Sequence, residues 1–330
     1  MRKYINVRTI LASLVFTLPF TFHARAQNQS ENHFVAANDV TWNSLGTNEN
    51  DSMPLGNGDV AANVWTEQNG DIVLLLSKSD AWSENGQLLK LGRVRVKLNP
   101  NPFAEAPMTQ TLKLETGEVE IQSGKSTARI WVDANHPVVH VEIQSEKPTQ
   151  FEAASEMWRT KSYHLNPRAV SQDGFFEFGN NPNGIDFGAD TIFPAQKNSV
   201  AWCHFNTNSI YPLVFQREHL ESLLPKYPDP LLHRSFGITM TGPRLVNNSD
   251  QSLKSSHATK TFRLDLCALT EQTDSPETWR ADSAKLSASI ENTKINTARK
   301  SHRQWWSQFW NRSWIDISGS PDARKASQSY

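Results

Sequence analysis

Residues 92–99 read Gly-Arg-Val-Arg-Val-Lys-Leu-Asn, in which basic and apolar side chains alternate. Because successive side chains of a strand point to opposite faces, this alternation predicts a β-strand with one buried face and one solvated face. Many short strands with few helices between them predict a mainly β fold, a large antiparallel β-sandwich over residues 27–274. The other predicted strands lie at 71–78, 111–114, 119–122, 128–132, 138–143, 150–157, 200–205, 236–241 and 260–268.

The composition is that of an ordinary globular chain. It has 330 residues, of which 38% are hydrophobic and 20% charged, and its formal net charge is −1. A chain without a basic stripe is not expected to bind nucleic acid. Cys203 and Cys267 are too few for a disulfide-dense scaffold or a multi-cysteine zinc module. The alternation places Cys203 on the inward face of its strand and Cys267 on the outward face of its own, which disfavours a disulfide between them.

Residues 1–26 are typical of a secretory signal. A charged start at residues 2–8 is followed by an apolar stretch at 9–22 and by Ala24-Arg25-Ala26, which supplies the small residues of a cleavage site. The apolar stretch is too short to span a bilayer, and no later segment is apolar enough to cross one. The sequence therefore predicts a secreted or periplasmic protein with no membrane partner.

Two helical segments are predicted. A short surface helix is expected at 217–226, and a longer linker-helix region at 275–314. The second begins at Ser275-Pro276-Glu277, which supplies an N-cap, a proline in the first turn and an acidic residue beside it. It ends in an aromatic stripe of Trp306, Phe309 and Trp310 at i, i+3 and i+4. These rings are predicted to form a domain interface; the alternative is that they fold back onto the sandwich.

Three residues form a predicted substrate rim. The glycine-rich segment around Asn57-Gly58-Asp59 predicts a tight loop, whose tip would offer Asn57 and Asp59 to sugar hydroxyls; the alternative is a well-built turn. Trp82 lies among small and polar residues at the end of a predicted strand. An exposed indole there would stack on a sugar ring, whereas a buried one would fill a corner. The local sequence leaves both interpretations open; the high content of eleven tryptophans is a compositional hint of sugar binding, since indole faces suit sugars as well as cores.

No metal or cofactor site is predicted. His136 and His140 have the helical spacing of two metal ligands, but Pro137 and the strand pattern separate them. The segment from Asn181 to Asp190 could supply oxygen ligands to calcium, but its spacing departs from the known twelve-residue loop. No pair of carboxylates stands out as a glycosidase pair, so no catalytic residue is predicted.

Three motifs carry a resemblance to a known family. They are the turn Pro54-Leu55-Gly56-Asn57-Gly58, the segment Asp80-Ala81-Trp82-Ser83, and the aromatic helix near residue 310. Over residues 35–318 the chain resembles the N-terminal part of domain of unknown function 5703, which is distantly related to the N-terminal domains of glycoside hydrolase family 95, the α-L-fucosidase-like enzymes. Glu84 stands where those enzymes carry a glycine, so fucose specificity is not expected.

The resemblance implies a β-super-sandwich, a linker helix and then an (α/α)₆ barrel that holds the catalytic residues. Residues 315–330 would only begin that barrel, so no catalytic residue can be transferred to this sequence. The leading hypothesis is a non-catalytic sandwich domain of a secreted glycoside-hydrolase-like protein that acts on glycans. Its partners would be a carbohydrate and a barrel, supplied in cis or from an adjacent gene. The alternatives are a stand-alone carbohydrate-binding module and a structural or adhesive surface sandwich.

Overall fold

The structure, a computed structural model, describes residues 35–104, 107–166, 184–312, 315, 317 and 319–329. The predicted signal at 1–26 lies outside the described residues. The strands are β1 (Val40–Trp42), β2 (Met53–Gly56), β3 (Val60–Thr66), β4 (Ile72–Trp82), β5 (Leu88–Asn99), β6 (Met108–Lys113), β7 (Glu118–Ser123), β8 (Ser126–Val132), β9 (Val138–Glu156), β10 (Tyr163–Leu165), β11 (Ile185–Phe187), β12 (Thr191–Ile192), β13 (Val200–Phe205), β14 (Arg234–Thr241), β15 (Leu245–Ser249), β16 (Ser252–Ser255) and β17 (Thr259–Gln272). The α-helices are α1 (Tyr211–Arg217), α2 (Pro276–Glu291), α3 (Ile295–Trp310) and α4 (Pro321–Ser329), and short 3₁₀ turns lie at Glu49–Asp51, Pro102–Ala104 and Glu221–Leu223.

Two antiparallel sheets share one strand, β9. The first sheet has the order β1-β6-β7-β8-β9-β17-β14-β13-β12, and the second has the order β2-β3-β4-β5-β9-β16-β15. A separate pair, β10 and β11, forms a small hairpin-like ladder. The prediction of a mainly β, antiparallel sandwich is therefore confirmed.

The shared strand is longer than the sequence pattern indicates. The two strands predicted at 138–143 and 150–157 are one strand of 19 residues. Its first part pairs with β8 and β17 as far as Gln144, β17 pairs once more at Thr149 after a register shift, and its last part pairs with β5 from Gln150 onward. Pro148 lies between the two ladders. A proline is tolerated there because its missing N–H is not needed for a hydrogen bond to a neighbouring strand. At this point the chain passes from one sheet to the other.

The main core lies between the two sheets. Its side chains come from both, among them Val94 and Val96 of β5 and Ile238 of β14, all of which are buried. The alternation that predicted β5 is thus confirmed, because its valines face the core. A buried hydrogen bond of 2.7 Å from Trp202 Nε1 to the carbonyl of Leu91 also joins the two sheets.

The prediction of a helix at 217–226 is wrong. The α-helix of this region is α1, which lies earlier in the chain and ends at Arg217. Pro212 stands in its first turn, where a missing N–H costs nothing. His219 then takes a positive φ of 57°, which stops the helix before a 3₁₀ turn at Glu221–Leu223.

Helix α2 covers the outer face of the first sheet. The predicted start is confirmed, since the hydroxyl of Ser275 accepts a hydrogen bond from the N–H of Thr278. The prediction that Cys203 and Cys267 lie on opposite faces is wrong. Both are buried free thiols on the face that α2 covers, Cys203 beside Trp279 and Cys267 among residues of α2 and β9. The outward face is buried because a helix lies on it.

Helix α3 is held against the first sheet by charged pairs and a histidine. Arg299 pairs with Glu142, and Arg303 donates two hydrogen bonds to the buried carboxylate of Glu118, at 2.7 and 2.8 Å. The ring of His302 accepts a hydrogen bond from the N–H of Ala134 and donates one to a carbonyl of the β6–β7 turn. Burial lowers the pKa of His302, which keeps its ring neutral, as this donor–acceptor pattern requires.

The β6–β7 turn also receives the ring of Trp306. Gly117, in this turn, has a φ of 60°, and a Cβ added there would overlap the Trp306 indole. Glycine is therefore required at this position for two reasons, the left-handed backbone and the close approach of the ring.

We expect Gly117→Ala to destabilise the protein more than a matched substitution in another turn. Gly124 is the control, because its φ of 55° carries the same backbone cost but its Cβ would meet only Glu146, at 4.0 Å. Gly124→Ala should cost about 1 kcal/mol, and Gly117→Ala about 1–3 kcal/mol more, because the indole must move. Urea denaturation of both variants measures the difference. Equal losses would show that Trp306 does not pack on this turn.

Candidate functional site

The exposed face of Trp82 lines a cavity of about 470 Å³ at one end of the sandwich. The cavity lies between the β4–β5 turn, helix α1 and the loop before β14. Its size falls within the range of small-molecule sites. The lining residues are Trp82, Gly86, Ile210, Tyr211, Val214, Pro230, Leu231 and Arg234.

Hydrogen bonds fix the walls of the cavity relative to one another. The side-chain amide of the buried Asn206 donates to the carbonyl of Trp82 and to that of Leu231, each at 2.9 Å. Arg234 donates from Nε to the carbonyl of Asp80 at 2.7 Å and from Nη1 to that of Pro230 at 2.9 Å. The cavity is therefore preformed, which lowers the entropic cost of binding a ligand.

Glu84 anchors the turn that carries Trp82. Its carboxylate is fully buried and accepts hydrogen bonds from the N–H of Gly188, at 3.1 Å, and from Nε2 of His204, at 3.0 Å. Its backbone carbonyl accepts a bond of 2.9 Å from the N–H of Ile210, a residue of the opposite wall. One residue thus ties the turn to three other segments.

His204 lies between two buried carboxylates. Its Nδ1 is 2.9 Å from Asp190, which also receives a hydrogen bond of 2.9 Å from Arg159. Burial opposes the charged form of the ring, but the hydrogen bonds with Asp190 and Glu84 outweigh it and raise the pKa of His204. A protonated His204 together with Arg159 neutralises the two carboxylates, as a buried cluster requires.

Most of the chain matches a known protein family. The profile of a domain of unknown function, DUF5703, matches residues 41–315.

This chain belongs to the DUF5703 family. The predicted family is therefore confirmed. A solved structure assigned as a kojibiose phosphorylase, from the human microbiome, aligns with 88% of the DUF5703 chain at 11% identity and a TM-score of 0.44. The DUF5703 chain covers 38% of the length of that structure. A comparison with curated proteins finds no match. Among the described helices, none is both long enough and apolar enough to cross a membrane.

Asn57 is used within the fold of the DUF5703 chain. Its Oδ1 accepts hydrogen bonds from the N–H groups of Asp59 and Val60, at 2.9 and 2.8 Å. Its Nδ2 donates to the carbonyls of Asp133 and His136, at 2.7 and 3.3 Å. The amide therefore holds its own turn and joins it to the β8–β9 loop, and its hydrogen-bonding capacity is filled. The cavity does not include Asn57 among its lining residues.

Asp59 is linked to the cavity through a series of ion pairs. Nζ of Lys78 lies 2.6 Å from Asp59 and 3.0 Å from Asp80. Asp80 in turn lies 3.9 Å from Nη2 of Arg234, which lines the cavity. Of the three residues of the predicted rim, the structure therefore places Trp82 in the cavity wall, Asp59 at the far end of a charged chain and Asn57 in a separate turn.

The rings of the aromatic stripe of α3 lie in two different environments. Nε1 of Trp310 donates a hydrogen bond of 2.8 Å to the carbonyl of Leu114, and Trp306 contacts Gly117, so both rings pack on the β6–β7 hairpin. Phe309 remains 41% exposed and stacks on Trp305 at 5.5 Å between ring centroids. A domain interface at Phe309 stays a prediction.

No cluster of three metal-ligating side chains exists among the described residues. Nδ1 of His140 lies 2.7 Å from the carboxylate of Asp265, and Asp190 belongs to the cluster around His204. Asp186 pairs with His164 at 2.7 Å. The earlier part of the considered calcium segment, with Asn181 and Asn183, lies outside the described residues.

Sequence reasoning missed most of this site. In the sequence, Glu84 stands out only as a departure from the family pattern, and His204 only as part of a strand. Tyr211 and Arg234, which line the cavity, lie far from Trp82 along the chain. The departure at Glu84 was a usable signal, since an acidic residue in a glycine position needs a partner if it is buried.

The pKa of His204 predicts a loss of stability at alkaline pH. Because the folded-state pKa is raised, the stabilisation is complete below the unfolded value of about 6.5 and is lost as the pH rises through the folded-state pKa. His204→Gln should reduce this alkaline slope of the free energy of unfolding; the remaining slope comes from the buried His140, whose pKa is also raised, by hydrogen bonds with Asp133 and Asp265. It should also lower that free energy near pH 6 by about 3–5 kcal/mol.

The control is His164→Gln, in which an exposed partner of the exposed Asp186 is replaced. Denaturant titrations at several pH values between 6 and 9 measure both variants beside the parent protein. The account of the cluster is wrong if His204→Gln and His164→Gln lose stability equally, or if the alkaline slope of His204→Gln equals that of the parent protein.

Proposed function

We propose that this DUF5703 chain is a non-catalytic, carbohydrate-binding domain of a secreted or periplasmic glycoside-hydrolase-like protein. The observation that carries the proposal is the indole of Trp82, which is 39% exposed and lines a preformed cavity. An aromatic ring held in place by a buried network offers a flat apolar surface to a sugar ring at little entropic cost.

The chemistry of the cavity supports binding rather than hydrolysis. Glycoside hydrolysis by two carboxylates requires a pair that flanks the scissile bond. None of the described residues that line this cavity carries a carboxylate. Glu84 and Asp190, the buried acids of the cluster around His204, are paired with His204, and Asp190 is also paired with Arg159.

The proposal includes a location and a partner domain. Residues 1–26 have the composition of a secretory signal, which supports export. The exposed ring of Phe309 stacks on the half-buried Trp305, on a helix that is fixed to the sandwich. This exposed ring supports packing of a helical barrel domain against α3. Such a domain would carry the catalytic groups.

We expect Trp82→Ala to weaken glycan binding. A glycan array identifies ligands, and isothermal titration calorimetry then measures the dissociation constants of the parent and the variant. The substitution should weaken binding at least about ten-fold, because it removes a large aromatic contact area. Trp158→Ala is the matched control, since this tryptophan is 50% exposed but does not line the cavity.

Unchanged affinity in Trp82→Ala would show that the cavity does not bind the glycan. The same holds if Trp158→Ala weakens binding as much as Trp82→Ala does. The absence of any glycan ligand on the array would favour the alternative of a structural or adhesive sandwich.

A further inference from the structure

The cavity beside Trp82 has few polar groups to offer a sugar. Half of its lining residues are aliphatic, namely Ile210, Val214, Pro230 and Leu231. Sugars present several hydroxyls, and each hydroxyl that is buried without a partner costs free energy. An unsubstituted sugar inside this cavity would leave most of its hydroxyls unpaired.

The two polar side chains of the wall are already engaged. The hydroxyl of Tyr211 lies 3.3 Å from the carbonyl of Tyr227, to which it donates. Arg234 donates to two backbone carbonyls, those of Asp80 and Pro230. What remains are the indole N–H of Trp82, the acceptor lone pairs of the tyrosine and the other N–H groups of the guanidinium. These can orient one edge of a ligand but cannot satisfy a whole sugar ring.

The aromatic members of the wall favour a planar apolar group. Trp82 and Tyr211 both line the cavity, and Tyr211 is braced by Phe215, whose ring centroid is 4.5 Å away. Aromatic rings prefer offset-stacked or edge-to-face contacts with other aromatic rings. A guanidinium such as that of Arg234 also packs well on a ring face.

We infer that the cavity binds the aromatic aglycone of a glycoside, with the attached sugar over the exposed part of Trp82. This inference rests on the proposed function and adds the class of ligand. The aryl group fills the aliphatic part of the cavity between Val214 and Leu231, and the sugar hydroxyls stay in contact with water. At about 470 Å³ the cavity has room for an aryl group and part of a sugar.

The test compares phenyl and methyl glycosides of the same sugars by isothermal titration calorimetry. The probes are both anomers of the glucoside, galactoside, mannoside and xyloside. We expect at least one phenyl glycoside to bind about ten-fold or more tightly than its methyl counterpart, because burial of the ring removes apolar area from water. Trp82→Ala should weaken the binding of both members of that pair.

Leu231→Asn should reduce the preference for phenyl over methyl to about three-fold or less, because it places an amide against the aryl group. The matched control is Leu220→Asn, at a leucine that is 41% exposed and does not line the cavity; it should keep the full preference. If Leu231→Asn lowers the melting temperature, Val214→Thr, of nearly equal shape, replaces it.

The outcomes separate this inference from the proposed function. Equal affinities of phenyl and methyl glycosides, or a preference that survives both Leu231→Asn and Val214→Thr, overturn the aglycone site while glycan binding at Trp82 stands. Phenol that binds as tightly as the phenyl glycosides overturns the role of the sugar. If no glycoside of either series binds and the glycan array is also empty, both proposals fail.

Discussion

The burial of one carboxylate, that of Glu84, constrains the end of the sandwich where the cavity lies. A buried carboxylate must be paired and hydrogen-bonded, and Glu84 meets this requirement through His204 and the N–H of Gly188. Those partners come from β13 and from the segment before β12, so the β4–β5 turn is fixed relative to both. Trp82 precedes Glu84 by two residues, and the exposure and orientation of its ring follow from this anchoring.

The rest of the fold supplies a rigid base for that turn. Because β9 belongs to both sheets, the sheets cannot slide past each other without breaking its ladders. Helix α3 adds a second brace, in which Arg299 and Arg303 pair with carboxylates of the first sheet and Trp306 closes on Gly117. A binding site of low polarity depends on such rigidity, since its affinity comes from apolar area that is already shaped for the ligand.

The alternation of side chains predicts most strands correctly, since it follows from the burial of one sheet face, as in β5. The alternation fails as a guide where both faces of a sheet are buried. Nothing in the strand of Cys267 shows that α2 covers its outward face. β17 is buried on both sides over residues 264–268. The continuity of β9 was hidden by Pro148. Trp82 was predicted as a rim residue from its local context, whereas His204 and Arg234 depend on pairings across more than 100 residues of chain.

A crystal structure of the protein with its tightest-binding glycoside tests the central claim most directly. The account predicts electron density for the sugar over the indole of Trp82, with the apolar substituent between Val214 and Leu231 and the bonds of Glu84 unchanged. Density for the ligand at another surface, with the cavity beside Trp82 empty, would contradict it.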